Sequence, residues 1–267
     1  MQNRIMITGA GSGLGREMAL RWAREGCLLA MSDVNEEGLI ETLELARKKG
    51  GDGFIQICDV RDYSQLTALS QACEAKFGGI DMIINNAGVA SGGFFDEISL
   101  EDWDWQISIN LMGVVKGCKA FLPLLKKSRG KIINIASMAA IMQGPAMSNY
   151  NVAKAGVVAL SESLLIELNS FGISVHVVCP SFFKTNLLDS FRGPTAAIKE
   201  QVGKLLESSP ISAQEIADYI YEHVAQGKFI ILPHEQGRLA STLKQQNPQL
   251  IYDEMIKMTE KMRAKSN

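Results

Sequence analysis

The stretch Arg4-Ile5-Met6-Ile7-Thr8-Gly9-Ala10-Gly11-Ser12-Gly13-Leu14-Gly15 decides the fold. A short apolar run leads straight into a glycine-rich turn. Beyond it Leu14, Met18 and Trp22 recur at helical spacing among alanines, so the local reading is strand, turn, helix. Such a unit opening a parallel sheet lets backbone N–H groups approach a pyrophosphate and aims the positive helix end at it. Two rival readings of the glycines fail on the neighbouring residues. A P-loop requires Gly-Lys-Ser/Thr, where this chain has Arg16 and Glu17, and a nucleophile elbow requires glycines two positions either side of Ser12, where Ala10 and Leu14 stand.

Working outward, Ile/Val/Leu-rich runs at 4–8, 27–32, 53–58, 82–85, 131–136, 174–179 and 228–232 alternate with helical periods at 13–25, 36–49, 63–77, 100–126, 148–170 and 213–225. This is the pattern of βαβ units feeding a parallel sheet, and several strands are apolar on both faces, as strands covered by helices on both sides must be. The alternation runs unbroken from residue 4 to 178, so residues 1–267 read as a single domain. The regularity fails at 180–210, where Gly, Pro and large apolar residues mark a functional loop, and again after Pro233. From Pro248 onward Leu250, Ile251, Met255, Met258 and Met262 suggest a final amphipathic helix whose methionines pack or make a subunit contact.

Composition narrows the function. The chain has 267 residues, 27 Lys+Arg against 29 Asp+Glu for a net charge of −2, and 46% hydrophobic residues. That near-neutral balance, with no basic cluster beyond Lys126, Lys127 and Arg129, excludes a nucleic-acid partner on electrostatic grounds. Five scattered cysteines without a C-x-x-C, and three separated histidines, argue against a disulfide framework and against a metal site. The apolar run at 5–7 is too short for a signal peptide and the stretch 111–125 is interrupted by Lys116 and Lys119, so no membrane span and a cytoplasmic location are expected.

The second strand ends at Asp33, 18 residues after Gly15, near the position of the acid that bonds the adenosine ribose hydroxyls in dinucleotide-binding units. A carboxylate there repels a 2′-phosphate, which favours NAD over NADP; the competing role for Asp33 is to cap the helix that begins at Glu36. Asp59-Val60 and Asn86-Ala87-Gly88 likewise fall at carboxyl ends of strands, where ligands of open α/β sheets bind.

The glycine spacing, Gly9, Gly13 and Gly15 after Thr8, resembles the T-G-x-x-x-G-x-G turn of the short-chain dehydrogenase/reductase family. Tyr150-Asn151-Val152-Ala153-Lys154 resembles that family's Y-x-x-x-K, with Ser137 thirteen residues earlier and Asn110 on the preceding helix. The resemblance covers about residues 4 to 232. It implies a Rossmann-like doubly wound α/β fold with about seven strands in the order 3-2-1-4-5-6-7, and a catalytic set of Asn110, Ser137, Tyr150 and Lys154. It implies a dinucleotide held by Gly9, Ser12, Gly13, Leu14, Gly15, Asp33, Asp59, Val60, Asn86, Ala87, Gly88, Tyr150 and Lys154. Pro180 and Thr185, which resemble the family's P-G-x-x-x-T with Ser181 replacing glycine, complete that set.

A phenol titrates near 10 in water, too high for a base at neutral pH, and a nearby ammonium lowers that value. By resemblance Lys154 does this and holds the nicotinamide ribose, Tyr150 passes the proton, Ser137 orients the substrate oxygen and Asn110 holds a water. Ser137, Tyr150, Phe182 and Phe183 are then the substrate contacts, and Phe182, Phe183, Leu187, Leu188 and Phe191 make the loop apolar. The expected reaction interconverts a secondary alcohol and a ketone on a hydrophobic body such as a lipid, steroid, retinoid or aromatic. The alternatives are an NADP-dependent carbonyl reductase, a regulator that binds nicotinamide without turnover, and an epimerase or lyase on the same fold. A homodimer or homotetramer through the helices bearing Asn110 and Tyr150 is expected.

Overall fold

The computed structural model describes residues 2–185, 191–193, 200, 203, 204 and 206–266. Leu187 and Leu188 of the apolar loop lie outside the described residues. Seven parallel strands, β1 (Arg4–Thr8), β2 (Leu28–Asp33), β3 (Asp52–Ile57), β4 (Met82–Asn85), β5 (Lys131–Ile135), β6 (Ser174–Val178) and β7 (Ile230–Ile231), form one sheet in the order β3-β2-β1-β4-β5-β6-β7. Register is continuous, with Ile5 opposite Leu29 on one side and Met82 on the other. The order reverses between β1 and β4, the place where an open α/β sheet leaves a crevice beyond its carboxyl ends.

Side chains alternate across a strand, and the core divides accordingly. Ile5, Ile7, Leu29 and Met31 face one side and pack on α1 (Gly13–Ala23), α2 (Glu36–Lys48) and α8 (Ala213–Ala225). Met6, Ala30, Ile83, Ile132 and Val175 face the other, against α3 (Tyr63–Phe77), α5 (Met112–Ser128) and α7 (Ser148–Leu168). Local chemistry sets the helix ends. Asn35 caps α2 by accepting from the Gly38 N–H, with Glu36 and Glu37 in the first turn and Arg47 and Lys48 in the last, matching the helix dipole. Ser212 and Glu215 form a reciprocal capping box on α8.

Three differences from the sequence reading bear on the site. The helix expected over 100–126 is broken at Leu111 into α4 (Leu100–Asn110) and α5. By length and composition Leu100–Ser128 is a weak candidate for crossing a membrane, of the kind a core helix also makes, and it carries Phe121, Leu124 and Leu125 buried against the sheet. A short helix, α6 (Ala139–Met142), follows β5, because Ser137 turns the chain by accepting from the Ala139 N–H. After β7, shorter than expected, two helices follow rather than one, α9 (Glu235–Gln246) and α10 (Pro248–Ser266).

The β1–α1 turn is closely packed backbone against backbone. Gly9 adopts φ +66°, and a Cβ on Gly15 would lie 2.0 Å from the Gly9 carbonyl oxygen. Overpacking against backbone that cannot move costs up to ~3 kcal/mol. Gly15→Ala is therefore expected to lower the unfolding free energy by that amount, read as a lower urea midpoint with an unchanged slope; an unchanged midpoint would show that the turn relaxes around a methyl group.

Candidate active site

A cleft of about 780 Å³ opens along the carboxyl ends of β1, β2, β4, β5 and β6. Among the residues singled out in the sequence, Gly9, Ser12, Gly13, Leu14, Asp33, Asp59, Val60, Asn86, Ala87, Gly88, Ser137, Tyr150, Lys154, Pro180, Phe182, Phe183 and Thr185 line it, as does Phe191. Gly15 and Asn110 stand behind its wall.

The glycine turn is drawn onto the end of β4 by hydrogen bonds. The Asn86 side-chain amide donates to the Thr8 and Gly9 carbonyls, both at 3.0 Å, and the Thr8 hydroxyl accepts from the Asn86 and Ala87 N–H groups. A Cβ on Gly9 would meet the Ala87 Cα at 2.8 Å, and one on Gly13, at φ +52°, would meet the Thr185 hydroxyl at 3.0 Å. Ser12 begins α1 in extended conformation with no side-chain cap, so the helix N-terminus faces the cleft uncapped by Ser12, with the Thr185 side chain beside Gly13. The cradle fits a dinucleotide pyrophosphate: bare backbone, a positive helix end and no room for further side chains.

Asp33 does not cap α2, which Asn35 does. Its two carboxylate oxygens accept from the Gly11 N–H at 2.9 Å and the Asn35 N–H at 3.0 Å, which fixes the carboxylate at the cleft's edge. Arg16 turns away, donating to the Gly11 carbonyl, the Thr42 hydroxyl and Glu41. Asp59 is paired with Arg61 at 2.6 Å, whose hydrogen bond holds its carboxyl below the usual range.

At the other end Ser137, Tyr150 and Lys154 come together. Tyr150 and Lys154 share one face of the first turns of α7, and Ser137, whose hydroxyl donates to the Pro180 carbonyl at 3.5 Å, lies beside the phenol. Lys154 is 5% exposed and donates to the Ile135 carbonyl at 2.9 Å, its ammonium 5.8 Å from the centre of the Tyr150 ring. Sequence reasoning expects the ammonium to lower the phenol's pKa. Instead burial pushes the phenol up, more strongly than the neighbouring Ser137 hydroxyl pulls it down, and burial takes Lys154 itself from 10.5 to about 8. The packing that brings the two groups together strips both of water.

Asn110 is fully buried and turned onto Val89 rather than into the cleft, its Oδ1 accepting from the Val89 N–H at 2.9 Å and its Nδ2 donating to the Val89 carbonyl at 2.8 Å. The side chain assigned a water by resemblance thus braces the turn after β4. It belongs to a buried chain of polar groups missed at the sequence level. The Asn149 amide donates to Ser91, Ser91 donates to Gln106, Gln106 donates to the Val89 carbonyl, and Asn149 also accepts from the Tyr150 N–H. The network ties the start of α7, where Tyr150 sits, to the cleft wall at Val89. Isolated Ser, Gln and Asn residues carry no periodic signal, so only their meeting in space identifies them.

His234, set aside as a scattered histidine, is 6% exposed at the start of α9. Its Nδ1 accepts from the Ser181 N–H and its Nε2 lies 3.1 Å from the Phe182 carbonyl, so the neutral ring holds the start of the substrate loop from both sides. Burial pushes its pKa down, which preserves that neutral form.

Lys154 is a buried ammonium with a carbonyl but no carboxylate among its hydrogen-bond partners, so its charge costs stability. Its folded pKa of about 8 lies below the ordinary 10.5, so the unfolded chain holds the proton more tightly and stability rises with pH between those values. Lys154→Met is expected to be more stable than wild type at pH 7, by ~1–3 kcal/mol, with the difference closing towards pH 10. Thermal melts across pH 6–10 check this, and a pH-independent difference would contradict it.

The model of the family described as short chain dehydrogenase matches residues 3–195. The probable oxidoreductase EphD of Mycobacterium bovis is 32% identical over 234 residues, covering 84% of this chain; the chain spans only 40% of that protein's length. The CLA biosynthesis dehydrogenase/reductase of Lactiplantibacillus plantarum is 32% identical over 252 residues, covering 87% of this chain and 88% of that protein. A short chain dehydrogenase/reductase from Burkholderia phymatum, crystallised in complex with NAD, superposes with a TM-score of 0.88 at 32% identity, over 93% of this chain and 95% of that one. With the strand order, the glycine cradle and the match over most of its length, the chain belongs to the short-chain dehydrogenase/reductase family.

Proposed function

We propose that the protein is an NAD-dependent oxidoreductase that interconverts a secondary alcohol and a ketone on a hydrophobic substrate. The observation that carries this reading is the meeting of Ser137, Tyr150 and the buried Lys154 in the same cleft as the glycine cradle. The turn and the N-terminus of α1 would hold the pyrophosphate, Asp33 the adenosine ribose, Asp59 and Val60 the adenine side, and Asn86 to Gly88 with Pro180 and Thr185 the nicotinamide half. When bound, the nicotinamide supplies or accepts the hydride.

The chain's own residues handle the proton and the orientation. A phenol held above its ordinary pKa is protonated at neutral pH, so Tyr150 is placed to donate to a ketone oxygen; in the reverse direction it accepts the alcohol's proton only after passing its own to solvent. Ser137, beside the phenol, would present its hydroxyl to the same substrate oxygen. Lys154 sits near the phenol ring and would hold a ribose hydroxyl of the bound cofactor, and its lowered pKa of about 8 makes it a proton-exchange partner near neutrality. Phe182, Phe183 and Phe191 give the substrate side its apolar surface.

The fixed carboxylate of Asp33 supports NAD over NADP, because it would repel a 2′-phosphate while Arg16 is turned onto Glu41 and Arg61 is paired with Asp59. Exposed Leu100, Val152 and Ile166 on α4 and α7 support pairing of two copies into a homodimer or tetramer, and five buried free thiols suit a reducing compartment such as the cytoplasm.

Tyr150→Phe is expected to lose about 10²–10⁴-fold in kcat with a panel of apolar ketones, followed by NADH absorbance, while NADH binding is retained. An undiminished rate would refute the proton role. Asp33→Arg is expected to move the preference from NADH towards NADPH by at least about tenfold in kcat/KM; unchanged discrimination would remove Asp33 from the ribose site.

A further inference from the structure

Part of the cleft is left without work by the mechanism above. There the end of the chain returns over the substrate side. Met255, Met258 and Met262, spaced to share one face of α10, line it opposite Met138, Met142 and Met147 on and around α6. The charged groups that line the cleft, Asp33, Asp59, Arg61 and Lys154, all belong to the cofactor and proton machinery, and α9 and α10 contribute none.

The returning helices are held at several points around the rim. Gly237 of α9 packs on Met138, where an added Cβ would sit 3.1 Å from the sulfur. The Lys244 ammonium donates to the Ile141 carbonyl and the Gln143 side chain, closing the end of α6. Ile251 is 6% exposed. At the far end Arg263 pairs with Asp96 at 2.6 Å and lies over the Phe94 ring at 4.1 Å, tying α10 to the opposite wall of the cleft. An exposed ion pair contributes little energy, but here it fixes where the helix lies.

We propose that α10 is the specificity element of the protein, and that its methionine-lined half of the cleft takes an unbranched, conformationally free aliphatic chain bearing the ketone or secondary alcohol, in preference to a rigid ring system. Methionine is unbranched and has a polarizable thioether, so a wall built from it reshapes around a chain that has many conformers, whereas a rigid ring is matched by rigid side chains. Among the described residues the lining of this half carries no charged side chain, which suits an apolar chain better than a phosphate. The inference rests on the oxidoreductase reading only for the position of the reacting carbon. The chain pocket itself is defined by α6 and α10.

The test is calorimetric binding to the full chain in the presence of NAD⁺, with 2-hexanone, 2-octanone, 2-decanone and 2-dodecanone, and with a rigid tetracyclic ketone as the contrast. The Kd is expected to fall about fourfold per methylene, the value for full burial of a CH₂ group, and the tetracyclic ketone to bind more weakly than 2-dodecanone. Met258→Asp is expected to flatten the series. Asp96→Arg is expected to weaken the chain-length dependence, and Asp96→Arg with Arg263→Asp to restore it. A Kd independent of chain length in the wild-type protein, or tighter binding of the tetracyclic ketone, overturns the proposal whatever the variants do. A ketone beside NAD⁺ cannot turn over, so this series reads binding alone; a steep series with no oxidation of NADH by the same ketones in a separate assay sinks the oxidoreductase reading and leaves the chain pocket standing.

Discussion

The architecture depends on one close approach of backbone to backbone. Gly15, in the first turn of α1, lies so near the Gly9 carbonyl that no Cβ fits between them, and Asn86 closes the arrangement from β4 by bonding the Thr8 and Gly9 carbonyls together. This contact brings the β1–α1 turn, the start of the helix and the end of β4 to one point. The reversal of strand order occurs there, so the crevice, the positive helix end and the 86–89 turn coincide. Asp33 joins the same point from β2 by accepting from Gly11.

The second constraint is electrostatic. Tyr150 and Lys154 stand on one face of a helix by spacing alone, but burial determines their proton affinities. The phenol is raised and the ammonium lowered, so two proton affinities that are nearly equal in water are driven apart. Separated surface residues of the same types would keep values near 10 and 10.4. The buried chain from Asn149 through Ser91 and Gln106 to Val89 and Asn110 gives the helix carrying this pair a fixed seat. Such polar groups, placed where water is absent, strongly favour the one arrangement in which all are bonded.

The C-terminal helices show where reading by pattern reaches its limit. The methionine stripe of α10 was legible as an amphipathic face, and packing or a subunit contact is the ordinary use of such a face. Instead it closes over the apolar end of the cleft, held by contacts between residues 103 and 167 positions apart, Lys244 with Ile141 and Arg263 with Asp96. His234 is a similar case: a lone histidine in the sequence, a clamp on Ser181 and Phe182 in space. Asn110 shows the converse, because its motif position was legible while the direction of its side chain was not.

What the sequence by itself determined is whatever contiguous residues encode: the alternation of buried strands and amphipathic helices, the turn that only glycines can make, the Tyr and Lys four apart on one helical face, and an acid at the end of β2. Each follows from the fixed geometry of a strand, a turn or a helix, which repeats every few residues and leaves its mark in the order of the letters. The tertiary structure alone decided how much water reaches Lys154, which polar groups seat α7, where Asn110 points and what the last helix covers. Those outcomes depend on the path of the chain between distant segments, and desolvation and packing act on whichever residues that path brings together.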